Sequence, residues 1–247
     1  MFTLYVVPAS LFLAAFVRGY TGFGFSAIAI LILTLSYPVA ETVPAVLLLD
    51  LIISLPLVAT SWNRTDFSQL QKLLWATLLG IPLGLILLWS APNTVLQILV
   101  PTTILSLALL PSIRTPLAKR MLASPYLCGL MSGWTTSAVS AGGAPVVIHL
   151  RHSKLSLQQQ RDTLICYFFL TTCLTAGLGY AYRKQFYFLP EQPFIMGLLC
   201  VFGVLAGRRC YQARQIASIH HFSYYLLLAL SGFSLLKALV ALATTHH

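Results

Sequence analysis

Charge is what this sequence has least of: Asp, Glu, Lys and Arg make up 8% of its 247 residues, and only five of those are acidic. A soluble domain carries about 25% charged residues. With 58% hydrophobic residues and a mean hydropathy of +0.84, the chain falls outside that class and reads as an integral membrane protein. Long polar stretches are also missing. The longest, around 61–72, 150–162 and 208–221, are too short to fold alone, so a single membrane domain is expected. The opening residues, MFTLYVVPASLF, lack the positive n-region of a cleaved signal peptide, and this segment is expected to remain as the first helix. Cys128, Cys166, Cys173, Cys200 and Cys210 form no CxxC pair and lie mostly in apolar runs, which suits packing rather than disulfides or ligation. No zinc spacing, Walker motif, HExxH or GxSxG occurs, so neither a metal nor a cofactor is expected. The formal charge of +10 sits mainly in short loops, where it reports topology and contact with anionic lipid rather than nucleic-acid binding.

What the chain does contain is two apolar runs interrupted where a plain spanning helix would carry Leu and Val. In Cys128–Leu150, CGLMSGWTTSAVSAGGAPVVIHL, a helix can run to about Val139. Gly142 and Gly143 then permit positive φ, and Pro145 disfavours a helical Ala144, so a break over 141–144 and a short second helix with Pro145 in its first turn are expected. In Phe16–Ile30, FVRGYTGFGFSAIAI, Gly19, Gly22 and Gly24 interrupt a similar run. Laying Gly24 on Gly142 gives an offset of 118 residues, and GIPLG at Gly80–Gly84 resembles GVLAG at Gly203–Gly207 at an offset of 123. Two landmarks in one order at nearly one offset indicate an internal repeat, with halves expected at 1–112 and 120–243.

The runs at Leu4–Val17 and Phe23–Leu35 are too short for independent spans and suit re-entrant helices joined by Arg18–Gly22, whereas later runs reach the roughly 20 residues a bilayer needs. Basic residues fix orientation. Arg64, Lys72, Arg114, Lys119, Arg120, Arg151, Lys154, Arg161, Arg208, Arg209 and Arg214 fall in four connections expected to be cytoplasmic, leaving both termini outside. If each broken pair returns to its own face, three spans follow it, and the second half is inverted relative to the first; the alternative, in which every apolar run simply crosses, fits the charge bias of the loops at 150–162 and 183–191 less well. The fold class expected is therefore all-α, two inverted repeats, each a broken helix pair followed by three transmembrane helices.

A break in hydrocarbon must be covered by protein or face a polar cavity, and the free N–H groups of a half-helix can hold an anion there. Thr21, Ser26, Thr135, Thr136, Ser137 and Ser140 flank the breaks and could donate hydroxyl bonds, with N–H groups of Gly24, Phe25, Gly143 and Ala144 beside them. Singly, each hydroxyl could instead bond the i−4 carbonyl of its own helix. Arg18, between two short helices, is a candidate to meet substrate or to pair with Asp50, the one carboxylate in mid-span. Burial and a nearby cation act on the Asp50 proton in opposite senses, leaving two roles open: a proton-coupling group, or a permanent partner of Arg18. Lys237 is read as snorkelling, and His149, His152, His220, His221, His246 and His247 as interfacial. Trp134 is either an interfacial anchor or a cavity wall.

RGYTGFGFSAIAI at Arg18–Ile30, followed by GLMSGWTTSAVSAGGAPVVI at Gly129–Ile148, resembles the sulfite exporter TauE/SafE family of bacterial membrane permeases. The resemblance extends over essentially the whole chain. It implies a multi-pass protein of the bacterial inner membrane carrying small sulfur-containing or organic anions such as sulfite, sulfonates or short carboxylates. It carries over Gly22, Gly24 and Phe25 in the first block and Gly142, Gly143 and Pro145 in the second; the first block has Ala27 where the second has Pro145. Against this carrier reading stand a membrane enzyme, for which Ser140 and His149 come nearest to a nucleophile and base, and a scaffold that needs only packing surfaces.

Overall fold

The computed structural model describes residues 2–109, 121–185, 193–213 and 218–245. Within them the chain is helical. The helices are α1 (Phe2–Thr21), α2 (Phe25–Leu33), α3 (Val39–Ser61), α4 (Phe67–Ser90), α5 (Asn93–Leu109), α6 (Pro125–Val139), α7 (Gly143–Arg151), α8 (Leu157–Arg183), α9 (Pro193–Ala213) and α10 (Ser218–Thr245). Most of the expected connection at 111–121, the segment 186–191, Arg214, His246 and His247 lie outside the described residues, as does the boundary between the two expected halves.

Local chemistry sets the helix ends. Asp66 accepts the Gln69 N–H at 2.8 Å to start α4, and Ser156 with Gln159 forms a reciprocal cap at the start of α8. Asn93 ties two helices, its side-chain oxygen accepting the Val39 N–H at 3.0 Å where α3 begins after Pro38. Among the described residues, three segments are long and apolar enough to cross a membrane: Val39–Arg64 of 26 residues, Phe67–Ser90 of 24 and Leu157–Arg183 of 27. Asn93–Leu109 and Leu227–Val240 are shorter apolar helices.

The packing repeats. Taking α1–α5 in order onto α6–α10 exchanges the principal contacts: α9 packs on α1 as α4 packs on α6, α3 packs on α8, and α5 packs on α10. Lesser contacts exchange likewise, α2 with α10 for α7 with α5. The two GxxxG elements occupy matching places. A side chain at Gly84 would run into the Trp134 carbonyl and the Ser137 hydroxyl of α6, and one at Gly207 into the Phe16 carbonyl of α1. Both helix pairs therefore approach at a distance that only glycine allows, with dispersion between backbones replacing side-chain interdigitation.

One expectation about the first half is corrected. In place of the expected connection at Arg18–Gly22, α1 continues through Arg18 to Thr21 and the break is confined to Gly22, Phe23 and Gly24. Only the two glycines adopt positive φ, 86° and 97°, which stops the helix. The last turn before them persists because Arg161, on α8, donates from Nε to the Tyr20 carbonyl at 3.0 Å and from Nη2 to the Gly19 carbonyl at 2.6 Å. Those carbonyls would otherwise be orphaned at a buried helix end.

Candidate functional site

The second break is shorter and earlier than the expected 141–144: it spans Ser140–Gly142, and Ala144, expected outside the helix because of Pro145, is already helical. Helix α6 ends at Val139, Ser140 turns in the left-handed region with φ 57°, and Gly142 caps the N-terminus of α7 with Pro145 in the first turn. The positive φ thought available to Gly142 and Gly143 is not used: Gly142 has φ −77° and the strained residue is Ser140. The loop is braced by Ser132 Oγ donating to the Gly142 carbonyl at 2.6 Å. The two N-caps, Gly24 for α2 and Gly142 for α7, stand at the 118-residue offset of the repeat, and neither helix has a side-chain cap.

Both helix starts open on one cavity of about 70 Å³. Gly24, Ser26 and Ala27 line it from the first break; Ser140, Gly142, Gly143 and Ala144 line it from the second. Their first-turn N–H groups have no intrahelical acceptor by construction of the helix, and each start carries about half an elementary charge of positive potential. Arg18, 2% exposed, stands beside them. Its Nε lies 3.5 Å from Asp50 Oδ1, its Nη2 donates to Ser54 Oγ at 2.8 Å, and its guanidinium sits 5.4 Å from the Phe168 ring centre. Asp50, also 2% exposed, accepts from Thr172 at 3.4 Å and faces Ser26. The charged pair is thus internally neutral, so attraction for an anion falls on the helix starts and hydroxyls.

The structure sorts those hydroxyls. Thr136 and Ser140, 5% and 1% exposed, line the cavity, and neither side-chain oxygen has a hydrogen-bond partner among the described residues. A buried unpaired hydroxyl costs about 1–3 kcal/mol, which marks these two as awaiting a partner. Thr21, Thr135 and Ser137 do not line the cavity: their hydroxyls donate to the carbonyls of Val17, Met131 and Gly133, one helical turn back. Gly22, Phe25 and Pro145 are likewise set back from it, Gly22 packing on Arg161 and Ile165. Sequence reasoning missed Phe23, Ser54, Phe168 and Thr172. Thr172 had a signal, as a hydroxyl in the apolar run of α8; the two phenylalanines had none.

Other expectations change. His149 is buried, with Nδ1 3.0 Å from the Leu122 carbonyl and Nε2 3.4 Å from Gln69 Oε1, a tie between elements rather than an interfacial residue. It sits near the far end of α7 from Ser140, so the two do not meet as base and nucleophile. Trp134 is 37% exposed and does not line the cavity. Lys237 Nζ donates to the Leu35 carbonyl at 3.0 Å, at the C-terminal side of α2. Among the described residues no three His, Cys, Asp or Glu side chains converge as for a metal, and the five cysteines are free.

A protein-family model described as Sulfite exporter TauE/SafE matches residues 7–235. No curated protein and no solved structure matches the chain.

Proposed function

From the premise that this chain belongs to the sulfite exporter TauE/SafE family and is a membrane transporter rather than an enzyme, we propose that it is a secondary carrier exporting small anions such as sulfite, sulfonates or short carboxylates across the bacterial inner membrane. One observation carries the reading. Two uncapped helix starts, a buried Arg18 and two unpartnered hydroxyls converge on the same cavity. The two half-helix potentials sum to about one elementary charge, which matches a monoanion stripped of water. N–H groups at Ser26, Ala27, Gly143 and Ala144, with Thr136 and Ser140, then replace the lost hydration.

Alternating access follows from the repeat. The interchange of packing partners between α1–α5 and α6–α10 is what a twofold relation between halves produces, and the basic connections support its being an inverted one with both termini outside. Asp50 takes one of two roles in this scheme. Its 3.5 Å approach to Arg18 supports a standing ion pair; its position on the cavity wall supports proton coupling, in which neutralising the carboxylate frees Arg18 for the anion.

The test is a thermal-shift screen of purified protein against sulfite, sulfate, sulfonates and short carboxylates, followed by flux in proteoliposomes. A saturable, anion-dependent stabilisation together with counterflow of the same anion is the expected result. If no anion either stabilises the protein or moves, the carrier reading fails and a scaffold role takes its place.

A further inference from the structure

We infer that the preferred substrate is an organic monoanion with one oxyanion headgroup and an apolar tail of a few carbons, an alkyl sulfonate or carboxylate, rather than an inorganic oxyanion or a dianion. The inference rests on the carrier reading and concerns the same cavity. Its walls divide by chemistry. The broken helices with α3 and α8 contribute Arg18, Ser26, Asp50, Thr136, Ser140 and Thr172. The pair α5 and α10 contributes Ile104, Leu107, Ala108 and Leu227, all apolar among the described residues.

An inorganic oxyanion carries acceptor oxygens on every side. Held at the helix starts, it would turn at least one oxygen toward the Ile104–Leu107–Ala108 wall, where no described side chain can donate, and each unpaired charged oxygen costs several times a neutral one. A sulfonate or carboxylate gathers its oxygens at one end and offers carbon at the other. That polarity matches the cavity. Phe23 and Phe168 also line the cavity, their ring carbons 3.5 and 3.6 Å from where a first side-chain carbon on Gly143 would be. Charge points the same way. Arg18 is already matched by Asp50 at 3.5 Å, and the two helix starts together supply about one positive charge. A second anionic group would lie against the apolar wall with no counter-charge.

The experiment is isothermal titration of the full chain in detergent with methanesulfonate, propane-1-sulfonate, pentane-1-sulfonate, ethane-1,2-disulfonate and sulfate, at one ionic strength. The expected result is about a threefold to fourfold gain in affinity per added methylene, the equivalent of about 0.8 kcal/mol each, until the tail fills the space. Propane-1-sulfonate is expected to bind at least tenfold tighter than sulfate or the disulfonate. Leu107→Asn should flatten the dependence on chain length; should that variant fail to fold, Ala108→Ser, which adds one oxygen to a half-buried side chain on the same wall, serves the same purpose. Affinity that is flat in chain length for the unaltered protein, or sulfate or disulfonate binding as tightly as propane-1-sulfonate, overturns the inference and leaves the carrier reading standing. Failure of every anion to bind overturns both.

Discussion

Thr136→Val separates a substrate contact from a structural one, because the two predict opposite signs. The substitution keeps the branched shape and removes only the hydroxyl, whose oxygen is 5% exposed by residue and bonds to no described neighbour. In the empty protein there is therefore no hydrogen bond to lose. Relief of an unpaired buried oxygen contributes up to about 1–3 kcal/mol, so melting temperature in detergent should hold or rise. With anion bound, the lost bond is worth about 0.5–3 kcal/mol, which corresponds to roughly twofold to hundredfold weaker binding. Ser132→Ala is the control. Its hydroxyl donates to the Gly142 carbonyl at 2.6 Å, so its loss should lower the melting temperature directly. Melting curves and titration on the same preparations give both readouts. Wild-type affinity in Thr136→Val, or a drop in melting temperature as large as that of Ser132→Ala, would refute the assignment of this hydroxyl to the substrate.

Other expectations can be checked alongside. Gly143→Val should yield folded protein that binds anion poorly, since its new side chain enters the cavity at ordinary contact distance, whereas Gly203→Val should lose folded protein, because its first carbon would lie 2.7 Å from the Phe12 carbonyl; folded yield and affinity distinguish them. Arg18→Lys keeps the charge but not the planar fork: if Arg18 leaves Asp50 to meet the anion, affinity should fall about tenfold or more by titration with folded yield kept, whereas if the fork stays on Ser54 and Asp50, folded yield should fall and affinity hold. Asp50→Asn should preserve substrate exchange in proteoliposomes while abolishing pH-driven transport, with a lower folded yield because breaking a buried pair costs about 3–5 kcal/mol; pH-driven transport equal to wild type excludes the coupling role. In a cysteine-free background, Lys154→Cys in the turn between α7 and α8 should resist an impermeant thiol reagent in intact cells and Thr94→Cys at the start of α5 should react; the reverse pattern would rule out the inverted arrangement.

The membrane class and the existence of two breaks, to within a few residues, were legible in the sequence because each depends on local chemistry. Apolar content decides solvent; Gly22 and Gly24 stop a helix through positive φ, and Pro145 marks a first turn whatever surrounds it. The two glycines aligned in the sequence, Gly24 and Gly142, are the N-caps of α2 and α7. Tertiary structure alone decided which polar groups the cavity receives. Thr135 and Thr136 are adjacent and chemically identical, yet one hydroxyl folds back onto Met131 while the other faces the cavity, because successive residues on a helix point about 100° apart. The same holds for the Arg18–Asp50–Ser54 cluster, the Arg161 cap on α1 and the apolar wall of α5 and α10. Each joins residues on different helices, Arg161 reaching across more than a hundred positions to Gly19 and Tyr20, so each exists only once whole helices pack on one another, α3 on α8 and α5 on α10 among them, which no single stretch of chain carries.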